Sequence, residues 1–381
     1  MRFPHGFRGT GVVAGLKSSG AKDLALIVND GPQYFGTAVF TTNQVIAAPV
    51  IWSQQVVRDN EVRAVLLNSG GANACTGPEG FADTHASAEK VGELLEISAG
   101  DVAICSTGLI GVRLPMAQIF SGIEIAINNL SAENLKKAAE AIMTTDSKPK
   151  IATSTTGKVN FAGIAKGAGM LAPSLATMLS VVMTDAIVDP IRAHEIFTNV
   201  CNRTFDRIDS DGCMSTNDTV LFLASGASEV PLTDEELESI LFEICSSLSY
   251  QLIADAEGHS KIVSITTVNA RSESDALAIG RACARNNLLK CALHGEDPNW
   301  GRILAAIGTT KAVFDPANID VALNGTWVCK ASAPGDDRNS ADLSGERIDI
   351  LIDLHSGNHS ATILTNDLTA QYVHENSAYA T

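Results

Sequence analysis

Long apolar runs, positive charge, paired cysteines and phosphate-binding signatures are all scarce in this 381-residue chain. No stretch approaches the roughly 18 apolar residues needed to cross a bilayer. The opening MRFPHGFRGT lacks the apolar run of a secretory signal, so a cytoplasmic protein is expected. Lysine and arginine number 27 against 43 acidic residues, a formal net charge of −16. That balance disfavours nucleic-acid phosphates and anionic membrane surfaces as primary partners and leaves small metabolites open. Eight cysteines occur without a C-x-x-C pair or a His/Cys cluster at zinc-ligand spacing, so reduced, mostly structural thiols and no metal site are expected. There is no G-x-x-x-x-G-K-[ST], no G-x-G-x-x-G opening a helix after a strand, and no G-x-S-x-G. Phosphate loops of those kinds, and a serine hydrolase of the α/β type, lose their support.

What is present is apolar enough, at 45% hydrophobic residues, to bury one large core or two tightly joined ones. LALIVND and GTAVFTTN read as two strands joined by the Gly-Pro turn of GPQ, and VRAVLLNSGG and VAICSTG as further strands. FADTHASAEKVGELL and SAENLKKAAEAIM carry helical periodicity, the second with Ser131 placed to cap it. KVNFAGIAK and MLSVVMTDA return to strands. Asp189 and Pro190 form the expected N-cap and first-turn pair of a helix, and Thr233 to Glu236 reads as a capping box opening a long core helix. The strand KIVSITTV, a helix through DALAIGRACARNNLLKCAL, and the strands IDILIDLH and SATILTNDL close the chain; the alternation in IDILIDL suits a sheet with one solvated face. No repeat and no Pro/Ser linker divides it, and the nearest thing to a boundary is Lys166 to Thr177.

Five stretches spend glycine, small polar residues and charge in ways a core does not require. NSGGANACTG, Asn68 to Gly77, suits a loop whose N–H groups approach a ligand, though an ordinary tight turn would read the same. CSTGLIG places Thr107 and Gly108 at a strand tip, where a hydroxyl and a backbone N–H can both donate to a developing negative oxygen. KGAGMLAPSLATML combines Lys166, a Gly-x-Gly turn and an unadorned Ala176-Thr177 step before an apolar strand; in isolation Lys166 could equally be a solvated charge and Thr177 a strand-edge residue. DGCMSTNDT and HGEDPNWGR are dense in turn formers and charged groups.

Together with MTTD, AEGHSK and the terminal ENSAYAT, these motifs resemble, over nearly the whole chain and in order, the glutamate N-acetyltransferase/ornithine acetyltransferase family of arginine biosynthesis. The resemblance implies an α/β fold with sheets sandwiched by helices, in a layer arrangement similar to the N-terminal-nucleophile enzymes. It implies self-cleavage between Ala176 and Thr177 into an α chain of residues 1–176 and a β chain of residues 177–381, assembled as an α2β2 heterotetramer. Thr177 would then be a nucleophile whose own freed amine, with an ordinary pKa of about 7.7 to 8.0, serves as its base. Acetyl would pass from N2-acetylornithine to Thr177 and on to glutamate, with Thr107 and Gly108 forming the oxyanion hole. By motif matching, substrate contacts fall on Thr144, Lys166, Thr177, Glu257, Asn376 and Thr381. Lys166 would pair the shared α-carboxylate and Glu257 the ornithine ammonium, which leaves Glu257 facing an anionic acceptor.

No resident cofactor is implied; acetyl-CoA is expected as a co-substrate if the enzyme is bifunctional, and not if it only recycles acetyl. An aminopeptidase or amidase of similar fold, and an uncleaved amino-acid-binding protein, are the competing readings. Gly71, His259-Ser260 and Thr365-Asn366 depart from the family pattern without removing any of these groups.

Overall fold

The computed structural model describes residues 1–172 and 178–378. The expected nucleophile Thr177, its neighbour Ala176 and the C-terminal Thr381 therefore lie outside the described residues. Two sheets packed face to face, with helices on their outer faces, form the first lobe. In chain order its elements are β1 (Phe7–Val12), β2 (Leu24–Asn29), β3 (Phe35–Phe40), α1 (Ala48–Val56), β4 (Ala64–Asn68), α2 (Gly77–Leu95), β5 (Val102–Ser106), α3 (Met116–Asn128) and α4 (Leu135–Ala141). Then come β6 (Lys150–Thr156), β7 (Val159–Lys166), β8 (Leu179–Thr184), α5 (Pro190–Arg203), β9 (Thr219–Ala224) and α6 (Asp234–Ile253).

One sheet runs β1-β2-β4-β5 and the other β3-β9-β8-β7-β6. Each contains one parallel pair, β4 with β5 and β8 with β9. A parallel pair needs a crossover; α2 supplies the first and α5 the second. Ala25, Ile27, Val65 and Leu67 of the first sheet meet Ala162, Ile164, Val181 and Leu221 of the second in a shared core. Helices α2 and α3 cover the outer face of the first sheet through Val91, Ile119 and Ile123. Helices α5 and α6 cover the second through Phe197, Leu241 and Leu248. Strands buried on both faces read as continuous apolar runs, and β2, β4, β8 and β9 are buried throughout.

The second lobe follows Glu257. Its elements are β10 (Ile262–Ala270), α7 (Glu273–Ala284), α8 (Asn287–His294), α9 (Trp300–Ile307), β11 (Asp320–Leu323), β12 (Thr326–Lys330), β13 (Ala333–Pro334), β14 (Arg347–Asp353), β15 (His359–Asn366) and α10 (Ala370–Ala378). Its sheet runs β13-β12-β11-β14-β10-β15, and its core is its own, with Ile279, Leu293 and Ile303 of the helices packed on Ile265, Ile350 and Ile363. Strand β14 shows the expected alternation of buried and open positions. The lobes meet through Arg285 Nε donating to Asp209 Oδ2 at 2.7 Å and Arg207 Nη2 to Glu273 Oε1 at 2.6 Å.

Several local expectations hold. Asp189 accepts from the N–H groups of Ile191 and Arg192, and Thr233 with Glu236 closes its capping box. Others change. Strands β2 and β3 do not pair: the Gly-Pro turn carries the chain from one sheet to the other, where β3 pairs with β9. Ser131 does not cap α4, which begins after Asn134; the Ser131 hydroxyl accepts from Glu133 N instead. The helix expected through residues 275–293 is broken, because Asn286 caps a new helix by accepting from Leu289 N. Strands β1, β6, β9 and β11 to β13 and helices α1, α3, α9 and α10 are additional to the elements expected. Among the described residues no helix is long and apolar enough to cross a membrane.

Strand β5 is an edge strand, and α1 closes its open side. Ser53 Oγ donates to Ile104 O at 2.7 Å and accepts from Ile104 N at 2.9 Å, while Trp52 Nε1 donates to Val102 O at 2.9 Å. Ser53 is fully buried, so Ser53→Ala leaves an N–H and a C=O of β5 unsatisfied. Urea denaturation is expected to show a loss of about 3 kcal/mol from these two groups, against no more than about 0.5 kcal/mol for an exposed serine.

Candidate active site

The ends of strands from both sheets converge on one cavity of about 430 Å³. Strands β4 and β5 run parallel and finish side by side at Asn68 and Ser106, so the loops that follow, NSGG and STG, emerge together. In the other sheet β7 ends at Lys166 opposite Leu179, and Leu179 lies opposite Thr219, so KGAG, the start of β8 and the end of STNDT share one level. Thr107, Gly108, Thr144, Lys166, Glu257 and Asn376 all line this cavity. Those are six of the expected site residues, and the cavity brings together all that fall among the described residues.

A buried carboxylate organises the floor. Asp146 Oδ1 accepts from Lys150 Nζ at 2.5 Å and Gly167 N at 2.6 Å, and its Oδ2 from Thr144 N at 2.9 Å. It ties MTTD to the start of KGAG. Burial alone would raise its pKa, but Lys166, Lys150 and the Gly167 N–H outweigh that and bring it to about 2. Lys150 also donates to Asp255 Oδ2 at 2.6 Å, so both its neighbours are carboxylates.

Lys166 is 1% exposed, and its Nζ donates to Thr107 Oγ1 at 3.2 Å. Burial lowers its pKa, opposed chiefly by Asp146. Because the Thr107 oxygen accepts from the lysine, its own O–H is left to donate into the cavity. Gly108 sits at φ +130, a conformation side chains rarely adopt, and a Cβ there would meet Gly71 N at 2.9 Å. Its N–H meets no acceptor among the described residues. Thr107 and Gly108 thus present two donors side by side, as an oxyanion requires. Asn217 steadies them from the other sheet, donating to Ala72 O at 2.6 Å and Ser106 O at 2.8 Å.

Glu257 reaches the cavity from the lobe junction. Its N–H donates to Ala168 O at 2.9 Å, and its Oε1 accepts from Thr145 Oγ1 at 2.7 Å. A Cβ on Gly169 would lie 2.7 Å from Glu257 Oε2, so KGAG keeps a glycine where the carboxylate rests. Asn376 lines the mouth from α10. Met178, which follows Thr177 in sequence, is buried, and its N–H donates to Asp218 Oδ1 at 3.0 Å. Burial drives the Asp218 carboxyl well above its usual range, against the N–H groups of Met178 and Ser215 and the charge of Lys166.

A model of the ArgJ family matches residues 8–381. The chain belongs to that family. A relative from Streptomyces avermitilis named arginine biosynthesis bifunctional protein ArgJ is 56% identical over 375 residues, covering 98% of each chain. One of the same name from Mycobacterium tuberculosis is 50% identical over 385 residues, 99% of this chain and 95% of that one. A solved structure of ornithine acetyltransferase complexed with ornithine, also from M. tuberculosis, is 48% identical over 46% of this chain and 94% of that chain, with a TM-score of 0.41.

Some groups at the site escaped the sequence reading. Asp146 lies within MTTD and Asn217 within STNDT, yet their roles are to hold neighbouring loops, which a motif does not reveal. Lys17 lines the cavity from the β1–β2 loop, and nothing in GLKSSG marks it. In the other direction, HGEDPNWGR contributes no residue to the cavity. Its Asn299 caps α9, and Glu296 pairs with Lys261 at 2.8 Å; its turn formers and charges build the second lobe. Among the described residues no group of His, Cys, Asp and Glu is placed to hold a metal ion.

Asp146→Asn removes one of the two carboxylates beside Lys150 and the main charge opposing the burial of Lys166. A destabilisation of about 3 kcal/mol at pH 7 is expected. Since the folded pKa lies below the unfolded one, ionised Asp146 contributes about 2 kcal/mol above about pH 4, and this is lost as pH falls through about 2. The stability gap between wild type and variant, followed by denaturant titration, should therefore narrow between about pH 4 and pH 2.

Proposed function

We propose that this chain is a self-cleaving acetyltransferase of arginine biosynthesis that moves acetyl from N2-acetylornithine to glutamate. Family membership and the names of its relatives support the pathway. The observation that carries the chemistry is the convergence of Lys166 and the Thr107–Gly108 donor pair on one cavity, with the N–H of Met178, the residue after Thr177 in sequence, anchored on Asp218.

In the maturation step the Thr177 hydroxyl attacks the carbonyl carbon of Ala176, the peptide C–N bond breaks, and the resulting ester is opened by water. The product amine of Thr177 stays beside its own Oγ, so one residue supplies nucleophile and base. In turnover that amine takes the hydroxyl proton while Oγ attacks the acetyl carbonyl of acetylornithine. The C–N bond to ornithine breaks, the proton goes to the leaving amine, and an acetyl-threonine ester remains. The neutral amine of glutamate then attacks the ester, regenerates the hydroxyl and leaves N-acetylglutamate. Both tetrahedral oxyanions accept hydrogen bonds from Thr107 Oγ1 and Gly108 N. Lys166, Thr144, Asn376 and Thr381 bind the amino-acid frame, and Glu257 meets the ornithine ammonium. The layer order of the first lobe, helices outside two packed sheets, supports an N-terminal-nucleophile-like fold cut between β7 and β8. The word bifunctional in the relatives' names supports acetyl-CoA as a second donor. The assembly we propose, from the family resemblance alone, is a cytoplasmic α2β2 heterotetramer.

Edman sequencing of the larger fragment of purified protein, residues 177–381, should read Thr-Met-Leu-Ser, and Thr177→Ala should leave a single uncleaved chain without turnover. A single wild-type polypeptide with full activity would refute the reading. Thr107→Ala should lower kcat by about 10²- to 10³-fold. Glutamate and acetyl-CoA without acetylornithine should yield N-acetylglutamate; no product above background would remove the second donor.

A further inference from the structure

Lys17 is a second cation in the cavity, delivered there by a dedicated loop. The fully buried carboxylate of Asp23 folds residues 14–17 around itself, accepting from Ala14 N at 2.6 Å, Leu16 N at 2.6 Å and Lys17 N at 3.0 Å. Leu16 packs directly over Gly70, where a Cβ would lie 2.2 Å from the Leu16 Cβ, so this loop and NSGG are fitted to each other. The half-buried Lys17 ammonium is then fixed by two backbone carbonyls, Met143 O at 2.6 Å and Lys22 O at 3.2 Å. An ammonium has three donors, so one N–H remains for a ligand. Among the described residues no carboxylate bonds to this lysine, although 43 acidic residues are present in the chain.

The charges around the cavity are unevenly placed. Lys17 feels Asp23, Lys166 and Asp146, whereas Glu257 acts on Lys166. The cavity is thus lined by two groups of opposite charge with separate anchors, the Glu257 carboxylate held by Thr145 and the Lys17 ammonium held by the carbonyl of Met143. A donor amino acid with one carboxylate and one side-chain ammonium is matched by Lys166 and Glu257 alone. An acceptor with two carboxylates is not, because its second negative charge would meet Glu257. Two cations match two carboxylates.

The geometry points to Lys17 as the residue that reads the side-chain carboxylate of the acceptor, drawing it towards the β1–β2 loop and away from Glu257. This rests on the acetyltransferase reading above. It also removes the conflict that one site poses in serving a cationic and an anionic side chain: the two amino acids share the reacting groups, and their side chains are read by different residues, Glu257 for the cation and Lys17 for the anion.

The test is acceptor preference, measured as kcat/KM for glutamate, for glutamine, in which the side-chain carboxylate is an amide, and for isoglutamine, in which the α-carboxylate is. Lys17→Met is expected to reduce the preference for glutamate over glutamine by about 10- to 100-fold, the range for losing a hydrogen bond to a charged group. The preference for glutamate over isoglutamine should stay within a factor of about 2. Lys17→Gln, whose amide can still donate to Met143 O, should show the same shift and covers the case in which the methionine variant does not fold. A merely structural role would lower all three values together. An unchanged glutamate-to-glutamine preference in a folded variant, or a loss confined to isoglutamine, overturns the assignment. Wild-type protein that transfers acetyl to glutamate at no measurable rate overturns the acetyltransferase reading itself, and is distinguished by appearing before any substitution is made.

Discussion

The carboxylate of Asp146 is the point on which the site depends. It is buried, and burial of an ion is unfavourable by several kcal/mol unless the charge is paired and its oxygens are satisfied. Here the Thr144 N–H and Lys150 meet it from its own segment and the Gly167 N–H from the loop after β7. Remove it, and Lys150 retains Asp255 while Lys166 loses its strongest opposing charge. With it in place, KGAG leaves β7 at a fixed angle, Lys166 points at Thr107, and the cavity floor has a set electrostatic pattern.

The sandwich makes that arrangement possible. Two sheets share a core, each carries a parallel pair, and the strand ends of both meet at one edge of the lobe. A loop leaving the end of β5 can thus be braced by Asn217, which belongs to the opposite sheet. The second lobe adds Glu257 and α10. His294 Nδ1, Ser260 N and Lys261 N all donate to Asp367, which ties the segment after Glu257 to the segment before α10. Ser260 and Lys261 of AEGHSK and His294 of HGEDPNWGR serve this knot.

Much of this was legible in the chain because local chemistry and final structure agree. The apolar runs of β2, β4 and β8, the Asp189-Pro190 helix start and the Thr233 capping box need no tertiary context to read. The order of motifs was enough to name the family and to gather six scattered residues as one site. What escaped is what depends on partners distant in sequence. A Gly-Pro turn looks the same whether the next strand pairs with the last one or, as here, leaves for another sheet. Asn286 breaks an otherwise continuous helical pattern with a single cap. Lys17 is invisible because its place is set by Asp23 and by the carbonyl of Met143, 126 residues away. HGEDPNWGR misled because turn formers and charges are the vocabulary of both active loops and lobe scaffolding.

The most direct measurement is peptide mapping of enzyme quenched after a single turnover with N2-acetylornithine and no acceptor. One acetyl group on the hydroxyl of Thr177, at the N-terminus of the larger chain, is the expected result. Release of ornithine with the acetyl group on a cysteine such as Cys75 or Cys213, or with no acetyl on the protein at all, would contradict it.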